Sequence, residues 1–437
     1  MPRSPYIRTV IPGPKSKALM QELHRVECPH ITYSDRDFPV FWKKAKGAAV
    51  EDVDGNRYLD FTAAFGVSNL GHSPSFIEKA MRSQMKEIWH AMGDIHPTEA
   101  KVRCAQELTR LLPKSLDQVI FSSSGSEAVE SALKTAFIVT GRPGILSFDG
   151  AYHGLTYGAL QVTSRPFFRD PFCEQVRSSV IFEPFWMERA HSSEEIKKAL
   201  DRIDGLLEGR SAEPIGAVVI EPIQGRGGIR VADPLFLRGL RDLCSKHKVL
   251  LIFDEIYTGF ARTGKLFAFE HYGVEPDLLC LGKGMANGFP LSACAGRKNL
   301  MAAWGPSSGE ARHTSTFLGN PLGCAMALAV FKALRNPSWL KRVNALGLEL
   351  SRGLAGLVKK FPALLSEARG KGLMQGLVFK DGASADKAVK ESLKKGMILL
   401  ASGDAGDVLT FTPPFVISKE EIHLALKMLG RMFSKLY

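Results

Sequence analysis

The sequence predicts an α/β fold with two parts, a large domain on a mostly parallel central sheet and a small α+β domain. Continuous apolar runs of strand length alternate with helical periods between residues 76 and 330, a pattern typical of a sheet covered by helices on both faces. After residue 330, strands and helices alternate on a smaller scale. The length of 437 residues also exceeds that of one ordinary domain.

Residues 1–75 are predicted to form an N-terminal arm and part of the small domain. Prolines and glycines surround one helical stretch, Lys17 to Glu27. Strand residues then flank an Asp-Gly turn at Asp54 and Gly55. This arrangement predicts a β-hairpin between residues 52 and 61.

The large domain is predicted over residues 76–330 and the C-terminal small domain over residues 331–437. The latter holds two strands, Leu373–Phe379 and Val408–Phe411, among helices. Hydrophobic periodicity assigns the elements of the large domain. Its predicted strands are Gln118–Ser122, Ile145–Phe148, Ile215–Ile220, Val249–Phe253 and Leu278–Leu281, and its helices lie near 97–112, 126–140, 234–247 and 320–335.

The composition is typical of a globular protein, with 45% hydrophobic and 23% charged residues. The net charge of +12 suggests nucleic acid, but basic clusters such as Lys43-Lys44-Ala45-Lys46 are short, so we expect no nucleic-acid partner. No apolar run reaches the length of a membrane helix, so we expect no membrane partner. Seven dispersed cysteines without a CxxC pair predict reduced thiols, a cytoplasmic location and no metal site.

Two hydroxyl-rich turns are candidate phosphate sites. Ser124, Gly125 and Ser126 lie between an apolar strand and an amphipathic helix, where free backbone N–H groups and the helix dipole favour a phosphate. The loop that contains Thr316 likewise runs into a helix with Pro321 near its start. A helix cap without any ligand explains each turn equally well.

Charged residues end two of the predicted buried strands. Asp254 and Glu255 end one, and Lys283 follows the next between two glycines. A buried carboxylate needs a partner, which could be Mg²⁺, a ribose, a protonated ring nitrogen or a structural salt bridge. A lysine in a dry site has a lowered pKa and suits Schiff-base chemistry. Gly259–Leu266 nearly matches a P-loop, but Leu266 replaces the magnesium-binding hydroxyl residue, so we expect no nucleotide there.

One cofactor requires these features together. Pyridoxal 5′-phosphate (PLP) needs a lysine for a Schiff base, a carboxylate for its pyridinium nitrogen and a phosphate site at a helix N-terminus. Consecutive strands of a parallel sheet bring Asp254 and Lys283 to the same edge. The sequence therefore predicts a PLP site in which Asp254 and Lys283 are the catalytic residues.

With these motifs the sequence resembles the class III aminotransferases, which are PLP-dependent enzymes of fold type I, over nearly the whole chain. Within that family it looks like the ω-amino acid and amine (4-aminobutyrate-like) transaminases. The resemblance implies a homodimer with active sites at the subunit interface. The motifs that carry the resemblance are Val50–Gly55, Thr258–Gly264, Phe269–Asp277, Leu281–Gly284 and the Pro-Pro pair near the C-terminus.

The resemblance also implies roles for individual residues. Lys283 binds the cofactor as an aldimine and moves a proton between the substrate Cα and the cofactor C4′, while Asp254 keeps the pyridinium protonated. Thr316 reaches the phosphate of the neighbouring subunit. Tyr152 stacks on the cofactor ring and Phe65 looks like a wall of the substrate pocket, although core packing is an alternative for both. The other implied cofactor-binding residues are Ser124, Gly125, Ser126, His153, Glu221 and Tyr257.

The sequence departs from many relatives at positions that affect substrate choice. Thr410 stands where relatives that use glutamate carry an arginine for the α-carboxylate, and Arg226 stands at the position of the glutamate that gates it. We hypothesise that Arg226 binds the substrate carboxylate in this pocket, the alternative being a side chain that points to solvent. Tyr257 replaces a glutamine that touches the cofactor 3′-oxygen. Leu155 replaces an arginine of ornithine-type members, which favours apolar or ω-amino substrates.

The predicted function is the transfer of an amino group from an amine or (ω-)amino acid donor to an oxo-acid acceptor through Lys283. An amino-acid racemase or epimerase of the same family uses the same cofactor site and is the alternative. A basic scaffold without catalysis is disfavoured because Lys283 and Asp254 are both present.

Overall fold

The computed structural model describes residues 5–176, 179–188 and 190–436. The predicted arm and domains also include residues 1–4, 177–178, 189 and 437, which lie outside the described ranges. The chain divides into two compact units. Unit 1 contains residues 5–74 and 342–436, and unit 2 contains residues 75–341.

The helices vary in length from single turns to six turns. Many begin at a residue whose side chain accepts a hydrogen bond from the first turn, such as Thr98, Ser124, Asp233 and Asn320. In chain order they are α1 (Pro14–Val26), α2 (Ala63–Gly66), α3 (Ser75–Met85), α4 (Glu99–Thr109), α5 (Gly125–Thr140), α6 (Tyr157–Val162), α7 (Pro166–Arg169), α8 (Ser193–Gly205), α9 (Pro234–His247), α10 (Lys298–Met301), α11 (Pro321–Leu334), α12 (Ser338–Lys360), α13 (Gly382–Lys394) and α14 (Lys419–Leu436).

The strands within the described ranges form four sheets. In chain order they are β1 (Trp42–Lys46), β2 (Ala49–Asp52), β3 (Arg57–Asp60), β4 (Gln118–Ser122), β5 (Gly144–Phe148), β6 (Val180–Glu183), β7 (Ile215–Ile220), β8 (Ile223–Gln224), β9 (Arg230–Val231), β10 (Leu250–Asp254), β11 (Leu278–Leu281), β12 (Ser292–Gly296), β13 (Leu365–Lys371), β14 (Met374–Phe379), β15 (Met397–Ile398), β16 (Leu400–Ser402) and β17 (Val408–Phe411).

Unit 2 is built on a seven-stranded sheet with the order β4-β12-β11-β10-β7-β5-β6. Its strands are parallel except β12, which is antiparallel to both neighbours. Every residue of β7, β10 and β11 is buried, because helices such as α5 cover the apolar strands. The prediction of a mostly parallel central sheet is confirmed. The carboxyl ends of β4, β7, β10 and β11 lie at the same edge, where ligands bind in such sheets.

Unit 1 contains two four-stranded sheets, β1-β2-β3-β15 and β13-β14-β17-β16. The predicted hairpin is confirmed as β2 and β3, which pair antiparallel. Its turn is held by the buried Asp52 carboxylate, which accepts hydrogen bonds from the N–H groups of Asp54 and Asn56 and from the Tyr58 hydroxyl. The two strands predicted in the C-terminal part are confirmed as β14 and β17, which pair with each other.

No helix in the described ranges is both long and apolar enough to span a bilayer. Within the same ranges, no group of three or more His, Cys, Asp or Glu side chains is arranged to hold a metal ion.

Candidate active site

The Asp254 carboxylate ends strand β10 and is almost completely buried. Its Oδ2 lies 2.8 Å from Nδ1 of His153, and its Oδ1 accepts the N–H of Ile256 at 3.0 Å. Burial lowers the pKa of His153, but the hydrogen bond to Asp254 and the charges of Asp254 and Glu221 outweigh it and raise that pKa above the usual value. The hydrogen bond between Nδ1 of His153 and the carboxylate therefore stabilises the buried charge.

Lys283 lies next to Asp254 because β10 and β11 are neighbouring parallel strands. It follows β11 with a left-handed φ of 43°, a conformation that costs energy for a residue with a side chain and recurs at functional sites. Burial lowers its pKa to about 8, although the charges of Asp254 and Glu221 raise it. The amine Nζ lies 4.0 Å from the centre of the Tyr257 ring. Lys283 is therefore partly deprotonated near neutral pH, as a nucleophile or base must be.

Glu221 follows β7, the other neighbour of β10, and is also buried. Its Oε1 accepts the N–H of Tyr152 at 3.0 Å, and its Oε2 accepts the N–H of Gly225 at 3.0 Å. One carboxylate thus joins the loop after β5 to the loop after β7. Burial raises the pKa of Glu221 to about 7, against the lowering effect of His153.

Glycine is required at two points where these loops approach other residues. A Cβ at Gly225 would overlap the Tyr257 ring. A Cβ at Gly154, whose φ is 127°, would overlap Oγ of Ser126. Oγ of Ser126 also accepts the N–H of Leu155 at 3.3 Å, so the loop after β5 contacts the start of α5 closely.

The turn between β4 and α5 is a capping box. Ser124 accepts the N–H of Glu127 at 3.3 Å, and the Glu127 carboxylate accepts the N–H of Ser123 at 2.9 Å and that of Ser124 at 2.7 Å. The Ser124 side chain is therefore engaged in the cap. Gly125 and Ser126 occupy the first two positions of α5, whose N–H groups have no partner within a helix. The turn therefore caps the helix, and the N–H groups at the start of α5 remain a candidate site for an anion.

Arginine and aromatic side chains gather beside Tyr152. The guanidinium carbon of Arg226 lies 5.6 Å from the Tyr152 ring centre and 5.9 Å from that of Phe168. Tyr152 and Phe168 contact edge to face at 5.5 Å. The charge of Arg226 acts to lower the pKa of both Tyr152 and Lys283. Arg226 therefore lies beside Tyr152, and its charge acts on Lys283.

Sequence reasoning missed Phe168, since its contacts depend on how the segment around α7 folds back onto Tyr152. It also treated Glu255 with Asp254 as one acidic pair, whereas the structure separates them. The buried Glu255 carboxylate accepts hydrogen bonds from the N–H groups of Ala268 and Phe269 and from the Thr258 hydroxyl. Glu255 thus holds the turn beyond β10 and is satisfied by local donors.

Thr316 lies exposed on the loop before α11. Neighbouring residues fix that loop to the rest of unit 2. Thr314 donates to Asp94 at 2.8 Å, and His313 lies 2.9 Å from the Ser131 hydroxyl. Two of the predicted substrate residues, Phe65 and Thr410, belong to unit 1.

Within unit 1, Phe65 is 57% exposed and has a left-handed φ of 63°, directly after two further left-handed residues. Thr410 lies on β17 and is buried, with its hydroxyl 2.7 Å from that of Ser402. The Thr410 side chain is therefore neutral and engaged with a neighbouring strand.

Comparison with known proteins gives consistent similarities. A family model described as class-III aminotransferase matches residues 31–433. The acetylornithine aminotransferase of Methanosarcina mazei is 36% identical over 391 residues, which cover 90% of this chain and 91% of that protein. The 4-aminobutyrate aminotransferase of Mycobacterium leprae is 34% identical over an alignment of 444 positions, which covers 97% of each chain. A crystal structure of an amine transaminase from an uncultivated Pseudomonas species in its PLP-bound form matches with a TM-score of 0.86 at 27% identity, over 94% of this chain and 98% of that one.

The charges around Lys283 predict how its titration responds to substitution. In protein freed of bound small molecules, an amine-reactive reagent should modify Lys283 with a midpoint near pH 8, since burial lowers its pKa to about 8. Glu221→Gln removes a negative charge that raises this pKa, so the midpoint should fall. Arg226→Ala removes a positive charge that lowers it, so the midpoint should rise. Mass spectrometry of the Lys283 peptide over a pH series measures both, and shifts in the same direction would refute this electrostatic account.

Proposed function

The chain belongs to the class-III aminotransferases, and we propose that it uses PLP to move an amino group from an amine or (ω-)amino acid donor to an oxo-acid acceptor. Its fold is the fold type I of PLP-dependent transaminases. The observation that carries the proposal is the pairing of a lysine with a lowered pKa and a buried carboxylate, Lys283 and Asp254, at the ends of neighbouring strands.

The residues present fit this cofactor. Lys283 offers a partly neutral amine, Asp254 is a carboxylate held in place on two sides, and α5 begins with N–H groups that suit a phosphate. We therefore assign Lys283 to the covalent attachment of PLP, Asp254 to its ring nitrogen, and Gly125 and Ser126 to its phosphate. We further assign Tyr152, His153, Glu221 and Tyr257 to its immediate surroundings, Ser124 to the cap that shapes the phosphate turn, and Thr316 to the phosphate in the second subunit.

When bound, PLP supplies an electron sink for the electron pair released at the substrate Cα. The protein's own residues move the proton and hold the reacting groups in position. Lys283, with a pKa of about 8, takes the proton from Cα and returns it, because its amine changes charge near neutral pH. The Tyr257 ring, 4.0 Å from Nζ, limits where that amine can lie. His153 and the N–H of Ile256 fix the direction of the Asp254 carboxylate.

Transamination is favoured over racemisation because both of the curated relatives described above are named aminotransferases. Incubation of one enantiomer of an amino acid without any oxo acid distinguishes the two reactions. Racemisation continues without an acceptor until both enantiomers are present in equal amounts. Transamination stops after one half-reaction.

We propose that Arg226 binds the substrate carboxylate. Among the described residues its guanidinium forms contacts with the Tyr152 and Phe168 rings and no ion pair. A cationic group that is held by aromatic faces retains its hydrogen-bond donors for a carboxylate. Thr410 and Phe65 are the further residues that we assign to the substrate pocket, with Leu155 as an apolar contributor in place of arginine.

We propose that the enzyme is a homodimer. Trp89, Met92, Ile95 and Phe317 are each more than half exposed, and the ring of His90 contacts that of Phe317 at 5.2 Å. The two segments that carry these side chains meet at the His90–Phe317 contact, beside Thr316. We call these exposed side chains the apolar area, and exposed apolar areas mark interaction sites. A second copy of the chain that covers this area would bring the Thr316 loop to a subunit interface.

We place the enzyme in the cytoplasm, with small molecules as its substrates. Its seven cysteines are free thiols, and several are buried in apolar surroundings, as in proteins of reducing compartments.

The first prediction of this proposal concerns Lys283. Lys283→Ala should lower turnover by roughly a thousandfold or more, because both the attachment point and the proton carrier are lost. The purified variant should still take up PLP, with an altered absorption spectrum. Lys265→Ala is the control, since Lys265 is an exposed lysine after a glycine on the loop beyond β10. Turnover of Lys283→Ala at the wild-type rate would reject the assignment.

A second prediction concerns Arg226. Arg226→Ala should raise KM for oxo-acid acceptors by roughly tenfold or more, since a charge-assisted hydrogen bond to a carboxylate is lost. The KM of an amine donor without a carboxylate should change far less. Initial rates with both substrate types measure the difference, and an unchanged acceptor KM would remove Arg226 from the binding role.

A third prediction concerns the apolar area. Trp89→Asp should convert the dimer into monomer, because the charge must be buried in the interface at high cost. Leu348→Asp, on the exposed face of α12, should leave the dimer intact. Sedimentation velocity of the holoenzyme distinguishes the two species. A wild-type protein that sediments as a monomer would contradict the proposed assembly.

A further inference from the structure

Helix α2 is a single turn with a left-handed backbone. The four residues of Ala63–Gly66 have φ values of 46°, 50°, 63° and 72° in chain order. The N–H of Gly66 donates to the carbonyl of Thr62 at 2.8 Å, and that of Val67 donates to the carbonyl of Ala63 at 2.9 Å. These are the hydrogen bonds of a helical turn, although its hand is opposite to that of ordinary helices. We call this segment the left-handed turn.

The left-handed turn stores backbone strain. A left-handed φ brings Cβ too close to the following carbonyl oxygen, so residues with a side chain adopt it singly and rarely in succession. Glycine at position 66 adopts it without that cost, but alanine and phenylalanine occupy the other three positions. Strain of this kind persists only where the surrounding structure fixes the backbone, and it recurs in segments that contact ligands.

Buried hydrogen bonds fix the start of the turn. The N–H and the hydroxyl of Thr62 donate to one oxygen of the Asp60 carboxylate at 2.7 Å and 2.6 Å. The other oxygen of that carboxylate lies 2.7 Å from Nε2 of His72. The Thr62 hydroxyl in turn accepts the N–H of Ala64 at 3.2 Å. The chain therefore enters the left-handed turn from a residue that is held in place.

Thr412 holds the same residue from a distant part of unit 1. It directly follows β17, the strand that contains Thr410, and is almost completely buried. Its N–H donates to the carbonyl of Phe61 at 2.7 Å, and its hydroxyl donates to the carbonyl of Thr62 at 3.1 Å. Thr62 is 350 residues away in the chain, so these contacts tie the turn to the folded unit.

We propose that Thr412 is a positioning residue that holds Phe65 in place through the left-handed turn, so that the ring forms a fixed wall that sorts amine donors by size. This inference rests on the proposed function, which assigns Phe65 to the substrate pocket. Because Phe65 is 57% exposed, the direction of its ring depends mainly on its backbone. A backbone held under strain thus determines where the wall lies.

A strained wall predicts opposite changes in stability and in discrimination. Ala64→Gly removes strain, because glycine adopts a left-handed φ freely, but it also admits other conformations and no longer locks Phe65. The variant therefore gains stability and loses discrimination, whereas a residue that serves stability alone would not separate the two. Ala345 is the matched control, since it is an exposed alanine inside α12 of the same unit, where glycine is destabilising.

The first measurement is the apparent Tm of the PLP-loaded enzyme by calorimetry at one scan rate. Ala345→Gly should lower it by roughly 1–3 °C, and Ala64→Gly should raise it. Thr412→Val keeps the shape of the side chain but removes its hydroxyl, so it should also lower the apparent Tm. Thr412→Ser keeps the hydroxyl and should recover most of that loss. A lower apparent Tm in Ala64→Gly would overturn the strain on which the inference depends.

The second measurement compares kcat/KM for a large and a small amine donor, 1-phenylethylamine and 2-butylamine. Phe65→Ala should shift the ratio towards the larger donor, and Ala64→Gly and Thr412→Val should shift it the same way by roughly threefold or more. Ala345→Gly and Thr412→Ser should keep the wild-type ratio, and the absorption spectrum of the bound cofactor should stay the same in all variants. A wild-type ratio in Thr412→Val would overturn its role. If that variant fails to fold, Ala64→Gly decides in the same way.

Hydrogen exchange separates failure of this inference from failure of the proposed function. The N–H groups of Gly66 and Val67, which close the left-handed turn, should exchange faster in Thr412→Val than in wild type and at the wild-type rate in Thr412→Ser. Unchanged exchange in Thr412→Val would show that Thr412 does not hold the turn. An enzyme that transaminates neither amine would refute the proposed function, while exchange and the apparent Tm still decide whether Thr412 holds a strained turn.

Discussion

The site depends on keeping a carboxylate charged in a place that water barely reaches. Asp254 ends a fully buried strand, and an unpaired charge there would be strongly destabilising. His153 and one backbone N–H compensate that charge. Because the same carboxylate and Glu221 also raise the pKa of Lys283 against the effect of burial, the amine is held near the point where it can both accept and release a proton. The acid–base balance of Lys283 thus follows from its burial, which lowers the pKa, and from two buried acids at the ends of neighbouring strands, which oppose that effect.

Buried hydrogen bonds and close approaches then place the loops around this charge. Glu221 fixes one N–H from each of two loops, so neither loop can move without leaving a buried carboxylate unsatisfied. Gly154 and Gly225 let those loops contact Ser126 and Tyr257 directly. The positions of the turn before α5 and of the Tyr152 and Tyr257 rings therefore depend on contacts made by the backbone, which is stiffer than a flexible side chain.

The sequence alone was sufficient to predict the features that depend on the local pattern of apolar and polar residues. The bounds of β4, β7 and β11 agree with their continuous apolar runs, and the polar residues that end such runs lie at the sheet edge as expected. Strand β12 was missed because Ser-Ala-Cys-Ala-Gly has no β-branched or large apolar residue, and its pairing between β4 and β11 arises from tertiary structure. The partner of Asp254 was also invisible, since His153 is 101 residues away in the chain. Contacts between distant segments, including those of Phe168, need the folded chain.

The proposed role of Arg226 would change what carboxylate binding costs. In a site where an arginine is paired with a glutamate gate, a substrate carboxylate must first displace that glutamate. In this chain the resemblance puts Arg226 at the gate position, and among the described residues its guanidinium lies by two aromatic rings and forms no ion pair. A cation–π contact contributes about 0.5–1 kcal/mol at exposed sites, and stacking leaves the edge of the guanidinium open to a carboxylate. In the proposed role, Arg226 would therefore bind a carboxylate without first giving up an ion pair, and little of its contact energy would be lost.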